Sequence, residues 1–111
     1  MKIDYADFEK VEMCVGRIIA VAEFPEARKP AYQLTIDFGE TIGIKKSSAQ
    51  ITQVYTPESL LQRLVIAVVN FPPKQIAKFM SEVLVLGVAN EQGHIKLLQI
   101  SDDVVLGSRV Y

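Results

Sequence analysis

One histidine, His94, and one cysteine, Cys14, are all that the 111 residues offer as soft ligands or nucleophiles of those types. Together they cannot cage a zinc ion, and a lone cysteine cannot close an internal disulfide. No H-E-x-x-H, no glycine-rich phosphate loop and no G-x-S-x-G occurs. Asp102 and Asp103 are adjacent, so in extended chain they point opposite ways, and in a turn such aspartates usually bond their own backbone. Cys14 reads as a small buried apolar residue. The chain therefore reads as a binding protein and not an enzyme, with no metal and no cofactor.

Two polar stretches carry the groups that could hold a ligand. The first is Lys45, Lys46, Ser48 and Gln50; the second is Asn70, Phe71, Lys74, Lys78, Phe79, Met80 and Ser81. The second stretch lies between two apolar runs, Leu64 to Val69 and Val83 to Leu86, that read as buried strands. A loop held by such strands is a common seat for a site. Four lysines suit phosphates, and Phe71 or Phe79 suits a stacked base. The same set suits an extended peptide, with main chain held by Asn70, Gln50 and a strand edge, and apolar side chains by Phe71, Phe79 and Met80. Single-stranded nucleic acid and peptide both fit.

The elements that must position these groups follow from periodicity. Asp4 can cap a short helix to Lys10 that aligns Tyr5 and Phe8 on one face. Val15–Phe24 is the first strand, with Gly16 marking a bulge or a close backbone approach. Tyr32, Leu34, Ile36 and Phe38 alternate with Gln33, Thr35 and Asp37, the period-two signature of a half-buried strand. Gly39–Thr41 turns the chain into a returning strand, Ile42–Ile51. Thr56, Pro57 and Glu58 open a helix reaching about Arg63. A strand ending at Ala89, a turn at Asn90–Gly93, a strand His94–Ile100 and an extended tail complete the order. The expected class is all-β: a five-stranded OB barrel with a short N-terminal helix, a short helix between strands 3 and 4, and a C-terminal β extension. In such a barrel the strand 2–3 face and the loop between strands 4 and 5 meet the ligand, where both polar stretches fall.

The chain reads as a single domain over 1–111. Half of its residues are apolar, enough for a core, yet the size leaves stability modest and pairing with a second copy would add to it. Twelve basic residues face thirteen acidic ones, for a net charge of −1, so phosphate binding would need local clustering. No apolar run is long enough to span a bilayer, and MKIDYADFEK lacks the apolar stretch of a signal peptide. No membrane insertion and a reducing, cytoplasmic setting are expected.

The run D-F-x-K-V-x-x-x-V-G at Asp7–Gly16 resembles the opening of the tRNA-binding OB domain that is appended to some methionyl- and phenylalanyl-tRNA synthetases and also occurs alone. The likeness continues through Pro25, Ala27, Leu34, Ile36, Asp37, Ser48, Tyr55, Asn70, Lys74 and Ser81, and ends at L-G-S-R-V, Leu106–Val110. It covers nearly the whole chain and implies a free-standing copy. N-F-P-P-K-Q-I-A and S-E-V-L-V-L-G resemble the family's export-related chaperones. The resemblance implies a homodimer paired through Tyr5 and Phe8 with Val104, Leu106, Val110 and Tyr111. It further implies unfolded precursor proteins as ligands, the export motor SecA as a partner, and tRNA as the alternative ligand. Cys14 and Met80 stand where tRNA-binding members often carry a basic residue, and Val83–Leu84 replaces a frequent Gly-Met pair. The first two changes favour peptide over tRNA.

Overall fold

A computed structural model describes residues 1–111. Its longest strand, β1 (Met13–Glu23), pairs twice, and this double pairing bends the sheet into a barrel. Its first half, Met13–Arg17, runs antiparallel to β4 (Leu64–Val68); its second half, Arg17–Glu23, runs antiparallel to β2 (Tyr32–Asp37). The two pairings overlap at Arg17, and a bulge between Ile18 and Ala20, just inside the second half, adds twist there. Gly16 stands just before it, where a Cβ would come within 2.6 Å of Ile36 and 2.7 Å of Phe38. The expected close approach is present, and the bulge falls a few residues later.

On β2, Tyr32, Leu34 and Ile36 are buried while Gln33, Thr35 and Asp37 are half-buried, as the alternation predicts. β3 (Ile44–Ala49) returns beside it. Gly39–Ile42 makes a one-turn helix, α2, in place of a plain turn. α3 (Pro57–Leu60) is capped by Thr56, whose hydroxyl accepts the Ser59 N–H at 3.2 Å, and seats Leu60 in the core. It ends earlier than the expected Arg63, because Leu61 is extended and Gln62 sits at φ 71°. Five strands form the main sheet in the order β3-β2-β1-β4-β7, with β7 at Leu84–Val85. The core lies inside it, built on Ile18, Leu34, Ile36, Phe38, Leu60 and Val65, each almost fully buried.

The connection Asn70–Ser81 is more ordered than a loop. Lys74–Ile76 (β5) and Phe79–Ser81 (β6) form a hairpin of their own. The strand expected to run unbroken to Ala89 instead divides at Leu86, into β7 and β8 (Gly87–Ala89); β8 pairs with β9 (Ile95–Leu97). The C-terminal extension is a single bridge, Cys14 to Arg109, reinforced by Val15 N–H to Ser108 O and Val110 N–H to Met13 O. The N-terminal helix α1 (Tyr5–Glu9) buries none of its residues.

Candidate functional site

The barrel closes where β3 meets Ser81–Val83, and it closes largely through side chains. Lys46 N–H donates to Glu82 Oε1 at 3.0 Å, and Glu82 N–H donates to Lys46 O at 2.7 Å. Ser48 N–H donates to Ser81 Oγ at 3.0 Å, and the fully buried Ser47 hydroxyl donates to Val83 O at 3.0 Å. β3 and β7 share no regular ladder. Beyond this clasp their edges leave an open seam.

A trough of ≈ 360 Å³ lies along the seam. Ser48, Gln50, Lys74 and Ser81 give its polar lining; Ile51, Ile76, Val83, Val85, Ile95 and Leu97 give an apolar one. The two polar stretches of the sequence thus meet there, brought together by the hairpin register Lys74↔Ser81 and Ile76↔Phe79, which turns these residues to one face. A neighbouring hollow of ≈ 320 Å³ shares Lys74 and Ser81 and is walled by Phe71 and Pro72. At the turn end of the hairpin, Lys78 and Phe79 border a third hollow of ≈ 580 Å³ with Phe24, Glu26 and Gln33. Its floor is the Phe24–Phe79 pair, ring centroids 5.3 Å apart.

Other candidate residues are placed elsewhere. Asn70 braces the end of α1 against β4: its Oδ1 accepts the Glu12 N–H at 3.0 Å, and its Nδ2 donates to Lys10 O at 2.8 Å. Met80 pairs with Gln75 on the outward face of the hairpin. Lys45 shares strand parity with the buried Ser47 and Ala49, whereas Lys46 takes the opposite face; neither lines the trough or its two neighbouring hollows. Phe24, Ile95 and Leu97 come from distant parts of the chain and Glu82 directly follows Ser81; local sequence carries no sign of their contributions.

Glu26 and Lys78 border one of these hollows and Lys74 and Glu82 another, and neither pair forms a salt bridge. Burial, aided by Glu12, pushes the Cys14 thiol above its ordinary value, with Arg109 opposing, so the thiol stays protonated near neutrality. No group of three or more His, Cys, Asp or Glu residues could hold a metal. His94 belongs to a turn in which its N–H donates to Asn90 Oδ1 at 3.0 Å.

The residues expected at a subunit interface lie beside the start of β1. The Tyr5 and Phe8 rings are 5.9 Å apart on α1, and Arg109 donates to Glu9 O, holding the C-terminal strip next to that helix. Tyr5 is 68% and Tyr111 94% exposed, Val104 is exposed, and Phe8, Leu106 and Val110 are half-buried.

A nearly closed barrel, a helix between strands 3 and 4 and an inserted hairpin define an OB-fold binding domain. The chain belongs to the putative tRNA-binding domain family, whose profile matches residues 13–109. It is 51% identical to the CsaA chaperone protein from Picrophilus torridus, with a TM-score of 0.93 over 99% of this chain and 100% of that one. It is 46% identical to the chaperone CsaA from Bacillus anthracis strain Ames, with a TM-score of 0.93 and full coverage of both chains. A methionine–tRNA ligase from Bdellovibrio bacteriovorus is 35% identical over 98% of this chain, and the chain spans 16% of that enzyme's length.

Proposed function

We propose that the protein is a homodimeric, cytoplasmic chaperone that holds unfolded or pre-secretory polypeptides in the trough and supports their export, with SecA as a partner. The observation that carries this reading is the trough itself: Ser48, Gln50, Lys74 and Ser81 stand around an apolar lining at an open strand seam. A polypeptide needs main-chain partners and apolar contacts, and this site offers both. The end-to-end likeness to two CsaA chaperones supports the same reading. Without a catalytic set, such a protein acts as a holdase: it binds nonnative chains and shifts their population by mass action.

The family match and the ligase relatives favour a second reading, a tRNA-binding module that recognises shape. Titrating tRNA and an unfolded precursor segment against each other at rising salt separates the two. Peptide affinity should change little, whereas phosphate-driven binding should fall by about two or more orders of magnitude between ~50 and ~200 mM salt. Replacing Lys45 and Lys46 with alanine should spare the peptide, because neither lines the trough, and weaken tRNA. The chaperone reading fails if the precursor does not bind more tightly than about 100 μM, a weak affinity of roughly −5.5 kcal/mol. It also fails if tRNA alone binds.

A further inference from the structure

We infer that the seam between β3 and β7 captures its peptide by strand addition, with the peptide's own main chain bonded to the unpaired edge at Gln50, just past the end of β3. This deepens the chaperone reading and rests on it. Pairing alternates in an antiparallel ladder, and Phe38 N–H to Gly43 O, at 3.0 Å, fixes the phase of the β2–β3 ladder. With that phase, Lys46 and Ser48 turn their main-chain groups away from β2, as their bonds to Glu82 and Ser81 bear out. Gln50, next in the same series, has neither its N–H nor its C=O hydrogen-bonded. Leu86 N–H to Ile66 O, at 2.9 Å, sets the phase across the seam in the same way and turns the main-chain groups of Val85 away from β4. Gln50 and Val85 both border the trough. Gln50 thus presents an unpaired donor and acceptor beside an apolar gap, and an unpaired edge is a template for another strand.

The occupant is an extended polypeptide segment with free amides, an apolar side chain facing Ile95 and Leu97, and an acidic side chain within reach of Lys74. Lys74 forms no salt bridge; the ion pairs of the structure are Lys10–Asp7 and Arg17–Asp103. Glu82 shares a hollow with Lys74 but forms no salt bridge with it, one of its oxygens being turned to the Lys46 N–H. The charge on Lys74 therefore selects acid over base in the incoming chain.

Alternate-amide methylation tests the mode without altering the protein. A fluorescent peptide of about eight residues, a common strand length, carries alternating apolar side chains and one glutamate. Two versions are N-methylated at odd or at even amides. Strand addition presents only one parity to the edge at Gln50. One methylated peptide should therefore lose affinity by about tenfold or more, the equivalent of one or two main-chain hydrogen bonds, while the other binds like the parent. Gln50→Pro, which deletes an N–H that carries no bond in the free protein, should weaken the parent by a similar factor. Equal behaviour of the two methylated peptides would overturn strand addition and leave peptide binding standing. Failure of the unmethylated parent to bind would overturn both.

Discussion

Tyr55 shows how much one hydroxyl can do in a small barrel. Its Oη accepts the N–H of the buried Leu97 at 2.9 Å, and its carbonyl accepts the Tyr32 hydroxyl at 2.8 Å. One residue thereby ties β2 to β9 across the loop that follows β3. Its ring also receives the Arg63 guanidinium at 5.0 Å. That contact, between a buried ring and a half-buried guanidinium, is worth about 0.5–2 kcal/mol and survives in phenylalanine. The hydrogen bond does not survive, and a buried N–H left without an acceptor costs about 1–3 kcal/mol. Tyr55→Phe should therefore lower the unfolding free energy by that larger amount in a urea titration. A loss below about 0.5 kcal/mol would mean that water replaces the hydroxyl. Because Leu97 also lines the trough, the same substitution should weaken the peptide site. Tyr55 was legible only as part of the family likeness. Its partner Leu97 lies 42 positions away, and no local pattern links the two.

At the scale of elements, the β5–β6 hairpin holds the site and carries a strained turn. Ala77 adopts φ 54°, a conformation that glycine accepts more readily than alanine. The Gln75 side chain donates to Ala77 O at 3.0 Å and holds the turn from within. Ala77→Gly should relieve the turn by about 0.5–1 kcal/mol and slow hydrogen exchange of the hairpin amides by a factor of roughly two to five. Unchanged or faster exchange would mean that the added freedom of glycine outweighs the relief. The hairpin was hidden in the sequence because Pro72 and Pro73 read as a loop and its strands are only three residues long. Three residues are too few for periodicity to register.

At the scale of the molecule, the apolar surface is uneven. α1 buries none of its residues, and the chain end beside it leaves Tyr111 almost wholly exposed. A five-residue helix is not stable by itself and needs a surface to dock on. The proposed dimer would supply one. Sedimentation at micromolar concentration should then give twice the 12.4 kDa chain mass. Tyr5→Glu combined with Tyr111→Glu should return it to a monomer with an intact barrel, since both side chains are exposed in the single chain. A wild-type protein that sediments as a monomer would remove the dimer from the proposal.

Periodicity, capping chemistry and composition determined the elements: the alternation of β2, the Thr56–Pro57 helix start and the Asn90–Gly93 turn are local, and local sequence encodes them. The same local reading expected both lysine stretches to face a ligand. Tertiary structure alone decided which of those side chains share a space. Strand parity separated Lys45 from Lys46, hairpin register turned Met80 outward, and a contact across 60 positions committed Asn70 to bracing α1. The seam between β3 and β7 belongs to this second kind of information, because an unpaired strand edge is a relation between distant segments. It exists only once the sheet has curled and its two ends have stopped short of meeting.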